Sequence, residues 1–138
     1  MIKKRTQNDM LCLLEKYEKD FQFLSDISIL MNFNSEFVFF THEDESGLNG
    51  ILKMKINGNG SYHFPDFFNW LSFVEVKPEK QNCGIARKLV ESAYEFLSKT
   101  DQDHILISEF TKEGKKKLKP LIQEISQKYP GIRTKFKT

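Results

Sequence analysis

Phe73-Val74-Glu75-Val76-Lys77-Pro78-Glu79-Lys80-Gln81-Asn82-Cys83-Gly84-Ile85-Ala86-Arg87-Lys88-Leu89 reads as a strand, a turn and the start of a helix. Val74 and Val76 alternate with polar neighbours, and Pro78 ends the run. Gln81–Gly84 is a turn. Ile85, Leu89, Ala93, Phe96 and Leu97 then mark one face of a helix over about 84–98. The first N–H groups of a helix have no partner within it and carry the positive end of its dipole. With turn N–H groups beside them they form a concave anion site. Gly84 lets a phosphate approach the backbone, Ala86 is nearly as small, and Arg87 and Lys88 add positive charge. The segment is a candidate phosphate or pyrophosphate cradle. The plain alternative is a strand–turn–helix connection that binds nothing. The Gly-Lys-Ser/Thr ending of a P-loop and the Gly-x-Gly-x-x-Gly fingerprint are absent, which disfavours a nucleotide triphosphatase or a dinucleotide enzyme.

Upstream, Thr6 and Asp9 form a capping-box-like start. Met10, Leu14, Tyr17 and Phe21 then recur at helical spacing and predict a helix over about 7–21. Glu36–His42 reads as a strand. In Ile51–Ile56, Leu52, Met54 and Ile56 share one face and Lys53 and Lys55 the other, the pattern of a half-buried strand. Glu43–Gly47 joins the two as an antiparallel hairpin, and Asn57-Gly-Asn-Gly-Ser breaks the chain. Tyr62–Asn69 is aromatic-rich and carries no regular pattern. Trp70–Val76 and Ile105–Ser108 are strands. Leu118, Leu121, Ile122, Ile125 and Tyr129 are helically spaced, with Pro120 marking a kink or a new helix start. Ile132–Phe136 reads as a last strand. The expected class is α/β (α+β), a largely antiparallel sheet flanked by helices, in a single domain over residues 1–138.

Composition narrows the function classes. The 13 phenylalanines supply enough apolar area for a core in a chain that is 39% hydrophobic. A net charge of +2 is too small to argue for nucleic acid or an anionic membrane. Cys12 and Cys83 are unpatterned, which suits free thiols in a reducing compartment. No signal-peptide or membrane-span pattern is present, so the expected location is cytoplasmic.

At Gln81-Asn82-Cys83-Gly84-Ile85-Ala86 the chain resembles the GNAT superfamily of N-acetyltransferases, whose signature is Arg/Gln-x-x-Gly-x-Gly/Ala at a strand-to-helix junction. Phe73–Pro78 looks like the family's strand and Arg87–Val90 like its helix start; the close match covers about residues 70–98. The resemblance implies a GNAT-like fold and acetyl-coenzyme A as co-substrate. Gln81, Asn82, Cys83, Gly84, Ile85, Ala86 and Arg87 would hold the pyrophosphate. The backbone around Val74 and Val76 would pair with the pantetheine arm. The strands carrying Val74–Val76 and Ile105–Ser108 would splay to admit the thioester. An N–H at Val76 would polarise its carbonyl while a primary amine attacks directly. A tyrosine, often found in the helix after the second splayed strand and used to protonate the thiolate, is missing from Thr111–Lys128; Tyr129 lies at the end.

Glu75 and Glu109, one on or near each splayed strand, are the candidate general bases, weighed against solvated or salt-bridged surface residues. On alternation Glu75 faces opposite to Val74 and Val76. His42, His63 and His104 have no metal-ligand spacing, so no metal is expected. Cys83 has no evident His or Asp partner and reads as a small turn residue. Lys112, Lys115, Lys116, Lys117 and Lys119 read as a solvated helix face. The leading expectation is acetyl transfer to a primary amine. The alternatives are a catalytically inactive coenzyme-binding or regulatory module, and a basic nucleic-acid- or protein-binding domain using the Lys112–Lys119 face.

Overall fold

A computed structural model of the chain describes residues 1–22, 36–57, 64–108 and 112–137, with the side chains of Glu36, Lys112 and Glu113 outside the description. Glu109, His63 and residues 58–63 of the Asn57–Asn69 connection therefore lie outside the described residues. Six strands form one sheet in chain order, β1 (Ile2–Arg5), β2 (Glu36–Asp44), β3 (Gly47–Ile56), β4 (Trp70–Val76), β5 (His104–Ile107) and β6 (Arg133–Phe136). The first three pairings are antiparallel, and β4–β5 and β5–β6 are parallel. The two parallel connections run through helices α2 (Ile85–Lys99) and α3 (Lys112–Ser126), as parallel neighbours require. The expected mixed, largely antiparallel class is the one observed.

The two faces of the sheet have separate cores. Under α2 and α3, Leu52, Met54, Leu71 and Ile105 meet Leu89, Ala93, Leu97 and Ile122, all fully or nearly fully buried. On the other face Phe39, Leu48 and Ile51 meet Met10 and Leu14 of helix α1 (Gln7–Tyr17). Thr6 caps α1 through the expected capping box with Asp9. The helix ends at Tyr17 and a single 3₁₀ turn, Glu18–Asp20, follows, so the predicted 7–21 span is too long as one helix.

Three further differences have physical causes. The charged start Ile2-Lys3-Lys4-Arg5 carries no strand pattern, yet β2 recruits it as an edge strand. Arg5 is fixed there by a bidentate ion pair to Glu43, whose carboxyl is held below its ordinary range: burial raises it, but Arg5 and Thr41 outweigh that. The strand β3 is buried on both faces rather than one, so Lys53, placed by alternation on a solvated face, is only 2% exposed. Pro120 lies inside α3, which excludes a new helix starting there. The proline is exposed, so water can satisfy the Lys116 carbonyl that loses its N–H donor.

Candidate functional site

Opposite β3, the pairing of β4 steps from Met54–Leu71 to Lys53–Phe73, leaving Ser72 as an extra residue. This is a β-bulge, and the Ser72 hydroxyl donates to the Lys53 carbonyl at 3.3 Å. Opposite β5, the pairing of β4 stops at the same place. Trp70 and Leu71 pair with Leu106 and Ile107, and a last N–H, from Ser108, reaches the Leu71 carbonyl at 3.0 Å. Beyond it, Ser72–Val76 has no ladder partner on the β5 side among the described residues. Among the described residues the β4–β5 ladder therefore ends at Leu71, which leaves a split along the β4 edge.

The alternation of backbone groups fixes what lines this open edge. The Lys77 N–H points into the sheet, donating to the Asn49 carbonyl at 2.9 Å. The N–H and C=O groups of Val76 and Val74 therefore point the other way, into the split. Their half-buried side chains pack toward α2 and α3. Gln81 reaches back to the edge, its Nε2 donating to the Val76 carbonyl at 3.1 Å.

The turn that follows is built for close approach. A 3₁₀ turn, Pro78–Lys80, leads into Asn82 and Gly84, both left-handed with φ of 65° and 79°. Gly84 is the N-cap of α2, and a Cβ there would meet nothing within 4 Å, so the space above it is open. Gln81, Asn82, Cys83 and Gly84 are exposed and Ala86 is half-buried. Ile85 is core, so it offers the site its N–H but not its side chain. The Arg87 guanidinium donates to both Glu124 oxygens at 3.3 and 3.0 Å, tying α2 to α3. Its charge is compensated, and Lys88 is the exposed cation of this first turn.

Glu75 lies on the α1 side, opposite to Val74 and Val76 as alternation predicts, and its carboxylate accepts the Gln22 N–H at 2.8 Å. Glu109 falls outside the described residues. Tyr129 packs on Tyr94, with ring centroids 5.6 Å apart. Burial pushes the Tyr94 phenol up to about 12, against the opposing hydrogen bond with Thr134. His104 Nε2 accepts the Phe68 N–H, and His42 Nδ1 bonds the Asn49 amide, so both serve local structure. No group of three His, Cys, Asp or Glu side chains able to hold a metal occurs among the described residues. Both cysteines are free and exposed. No described helix is long and apolar enough to cross a membrane.

No family model matches the chain, and no curated protein does. Solved structures match well. An aminoglycoside acetyltransferase from an uncultured soil metagenomic sample, in complex with sisomicin, superposes with a TM-score of 0.59 at 17% identity, covering 86% of this chain and 82% of that one. An aminoglycoside N-acetyltransferase in complex with coenzyme A gives 0.61 at 14% identity, over 91% and 89%. The chain has the GNAT fold. A ribosomal-protein-alanine N-acetyltransferase from Brucella melitensis biovar Abortus 2308 agrees, with a TM-score of 0.59 at 13% identity over 88% and 89%. In this fold the quoted stretch occupies the β4–α2 junction. Sequence reasoning missed the bulge at Ser72 and the compensated charge of Arg87. Neither has a local signal, since one depends on the partner strand and the other on a residue 37 positions away.

Proposed function

We propose that the chain is a single-domain acetyltransferase that moves an acetyl group from acetyl-coenzyme A to a primary amine. The observation that carries this is the open edge of β4, which ends directly in the turn and N-terminus of α2. A pyrophosphate fits the open space above Gly84, against the N–H groups of Gln81–Arg87. A pantetheine arm can then pair with the outward N–H and C=O groups of Val74 and Val76 as an added strand. Acetyl-coenzyme A supplies an activated thioester, so the protein has to position and polarise more than to form covalent bonds. An N–H of this edge, at Val76 or Val74, polarises the carbonyl. Glu75, or water held by it, takes the proton from the acceptor's ammonium, and the neutral amine then attacks the thioester carbonyl. The thiolate leaves to water, since α3 offers no tyrosine.

A second reading, a coenzyme-binding module without turnover, has one observation behind it. The Glu75 carboxylate already accepts a backbone N–H. Two measurements decide. Thermal unfolding with coenzyme A at ~100 times its dissociation constant should show about 2.7 kcal/mol of stabilisation under either coenzyme reading. No shift would reject both. Acetyl transfer to a panel of amines, followed by product mass, then separates enzyme from module.

A further inference from the structure

The sheet face opposite α2 and α3 is cationic where it borders the split. Lys55, Trp70, Leu106 and Lys135 are direct cross-strand partners, so their side chains form one row on one face. Their neighbours Met54, Leu71, Ile107 and Phe136 point instead into the core under α2 and α3. The row lies beside the last β4–β5 pair, at the floor of the split. Two ammonium groups converge on Trp70, that of Lys55 at 5.4 Å and that of Lys137 at 6.0 Å from the ring centroid. Arg133 adds a fourth cation, 4.8 Å from the Phe67 ring. Among the described residues none of the four forms an ion pair. Arg133, Lys135 and Lys137 are exposed.

Because α2 and α3 pack on the other face, an acceptor would approach across this one, over the exposed β6 side chains, since Leu106 within the row is fully buried. We propose that the acceptor is a peptide with a free amine followed by acidic side chains, laid extended over the β4–β6 face. The inference rests on the acetyl-transfer reading above. Arg133, Lys135 and Lys137 alternate along β6, so their charges recur every ~7 Å, the repeat of alternate side chains on an extended peptide. As the last strand of the sheet, β6 also has an edge without a strand partner among the described residues. Glu75 puts a negative charge further up the same face, where the ammonium belongs. Edge lysines also keep sheets from pairing with each other. That role covers Lys135 and Lys137 but not Lys55, which sits on the interior strand β3. A polyanion such as RNA is less suited, because a net charge of +2 gives little long-range attraction.

Trp70 is the only tryptophan, so its emission reports on this face alone. The peptide Ala-Asp-Glu-Asp-Glu-Ala, with a free N-terminus, is titrated at low salt without coenzyme. A saturable change is expected, weakened about tenfold or more in the Lys135→Glu, Lys137→Glu double variant and suppressed by salt. Both side chains are exposed, so the variant should fold, and its affinity for coenzyme A should be unchanged. No response to the peptide, an equal response from the double variant, or tighter binding of spermine or of a single-stranded oligonucleotide would overturn the proposal. A chain that binds coenzyme A but not the peptide refutes this inference alone; one that binds the peptide but never coenzyme A refutes the transferase reading.

Discussion

Lys53 offers a direct physical test of the structure. It sits in the middle of β3, 2% exposed, with its ammonium 4.2 Å from the Phe37 ring centroid and no ion pair among the described residues. Burial, with a smaller push from Lys55, lowers its amine from 10.5 to about 8. Below pH 8 the folded and unfolded chains both carry the proton, and the cost of burying it is fully present. Between pH 8 and 10.5 the unfolded chain holds a proton that the folded chain has released, so stability rises with pH and levels off above 10.5. The whole span is worth about 3 kcal/mol, at ~1.4 kcal/mol per pH unit. Lys53→Met keeps the length and removes the charge. Allowing about 1 kcal/mol for the lost contact with Phe37, the variant should be more stable at pH 7 by about 2 kcal/mol. That advantage should vanish as the pH approaches 10.5. Tyr94 acts in the opposite sense: with its phenol raised from 10 to about 12, its contribution is full below pH 10 and is lost as pH rises through 12. It cancels in the difference between variant and parent. Urea unfolding from pH 6 to 10.5 supplies that difference. A flat difference across pH, or a variant less stable at pH 7, would refute the burial of a charged amine in β3.

Further perturbations address the site. Gly84→Glu should abolish coenzyme A binding in calorimetry and leave the chain folded; its Cβ meets open space, and only the left-handed φ of 79° costs about 1–2 kcal/mol. Val76→Pro removes an N–H that faces the split rather than β3, so the variant should fold yet lose most acetyl transfer, read as steady-state rate on a panel of amines. Glu75→Gln keeps an oxygen to accept the Gln22 N–H, and it and Glu109→Gln should each slow turnover by about tenfold or less; a thousandfold loss would reveal a dedicated base. Deleting Ser72 should restore regular β4 pairing and weaken coenzyme A at least about tenfold while thermal unfolding stays cooperative.

What could be read from the sequence followed the strength of local pattern. The β4 bounds, the α2 face and the Thr6 cap rest on residues within one turn or one strand, and the structure matches them. β1 was invisible because four residues with one apolar side chain become a strand only when β2 supplies the hydrogen bonds. The burial of Lys53 was invisible for a related reason. Alternation records which face a residue occupies, but not that α1 would cover the second face of the sheet. The last turn of α1 was overextended because Phe21 continues the apolar spacing, although its backbone is already extended. At Pro120 the sequence left two outcomes open, and tertiary packing of Leu118, Ile122 and Ile125 decided between them.

The bulge at Ser72 shows why the site was only half legible. Strict alternation along Trp70–Val76 would place Trp70 with Val74 and Val76 on one face. The extra residue shifts the phase, so that Leu71 joins Val74 and Val76 under α2, while Trp70 shares the opposite face with Phe73 and Glu75. The upper half of the strand keeps the phase that the sequence predicts, and the candidate cradle follows it. The lower half takes the other phase, which turns Trp70 toward Lys55 and Lys137 and away from the core. The same residue sits where β4 leaves β5, since Leu71 is the last to pair there. One serine left out of the ladder thus lies where the strand changes phase, where the proposed coenzyme edge begins and beside the proposed acceptor face, and the three features stand or fall with it.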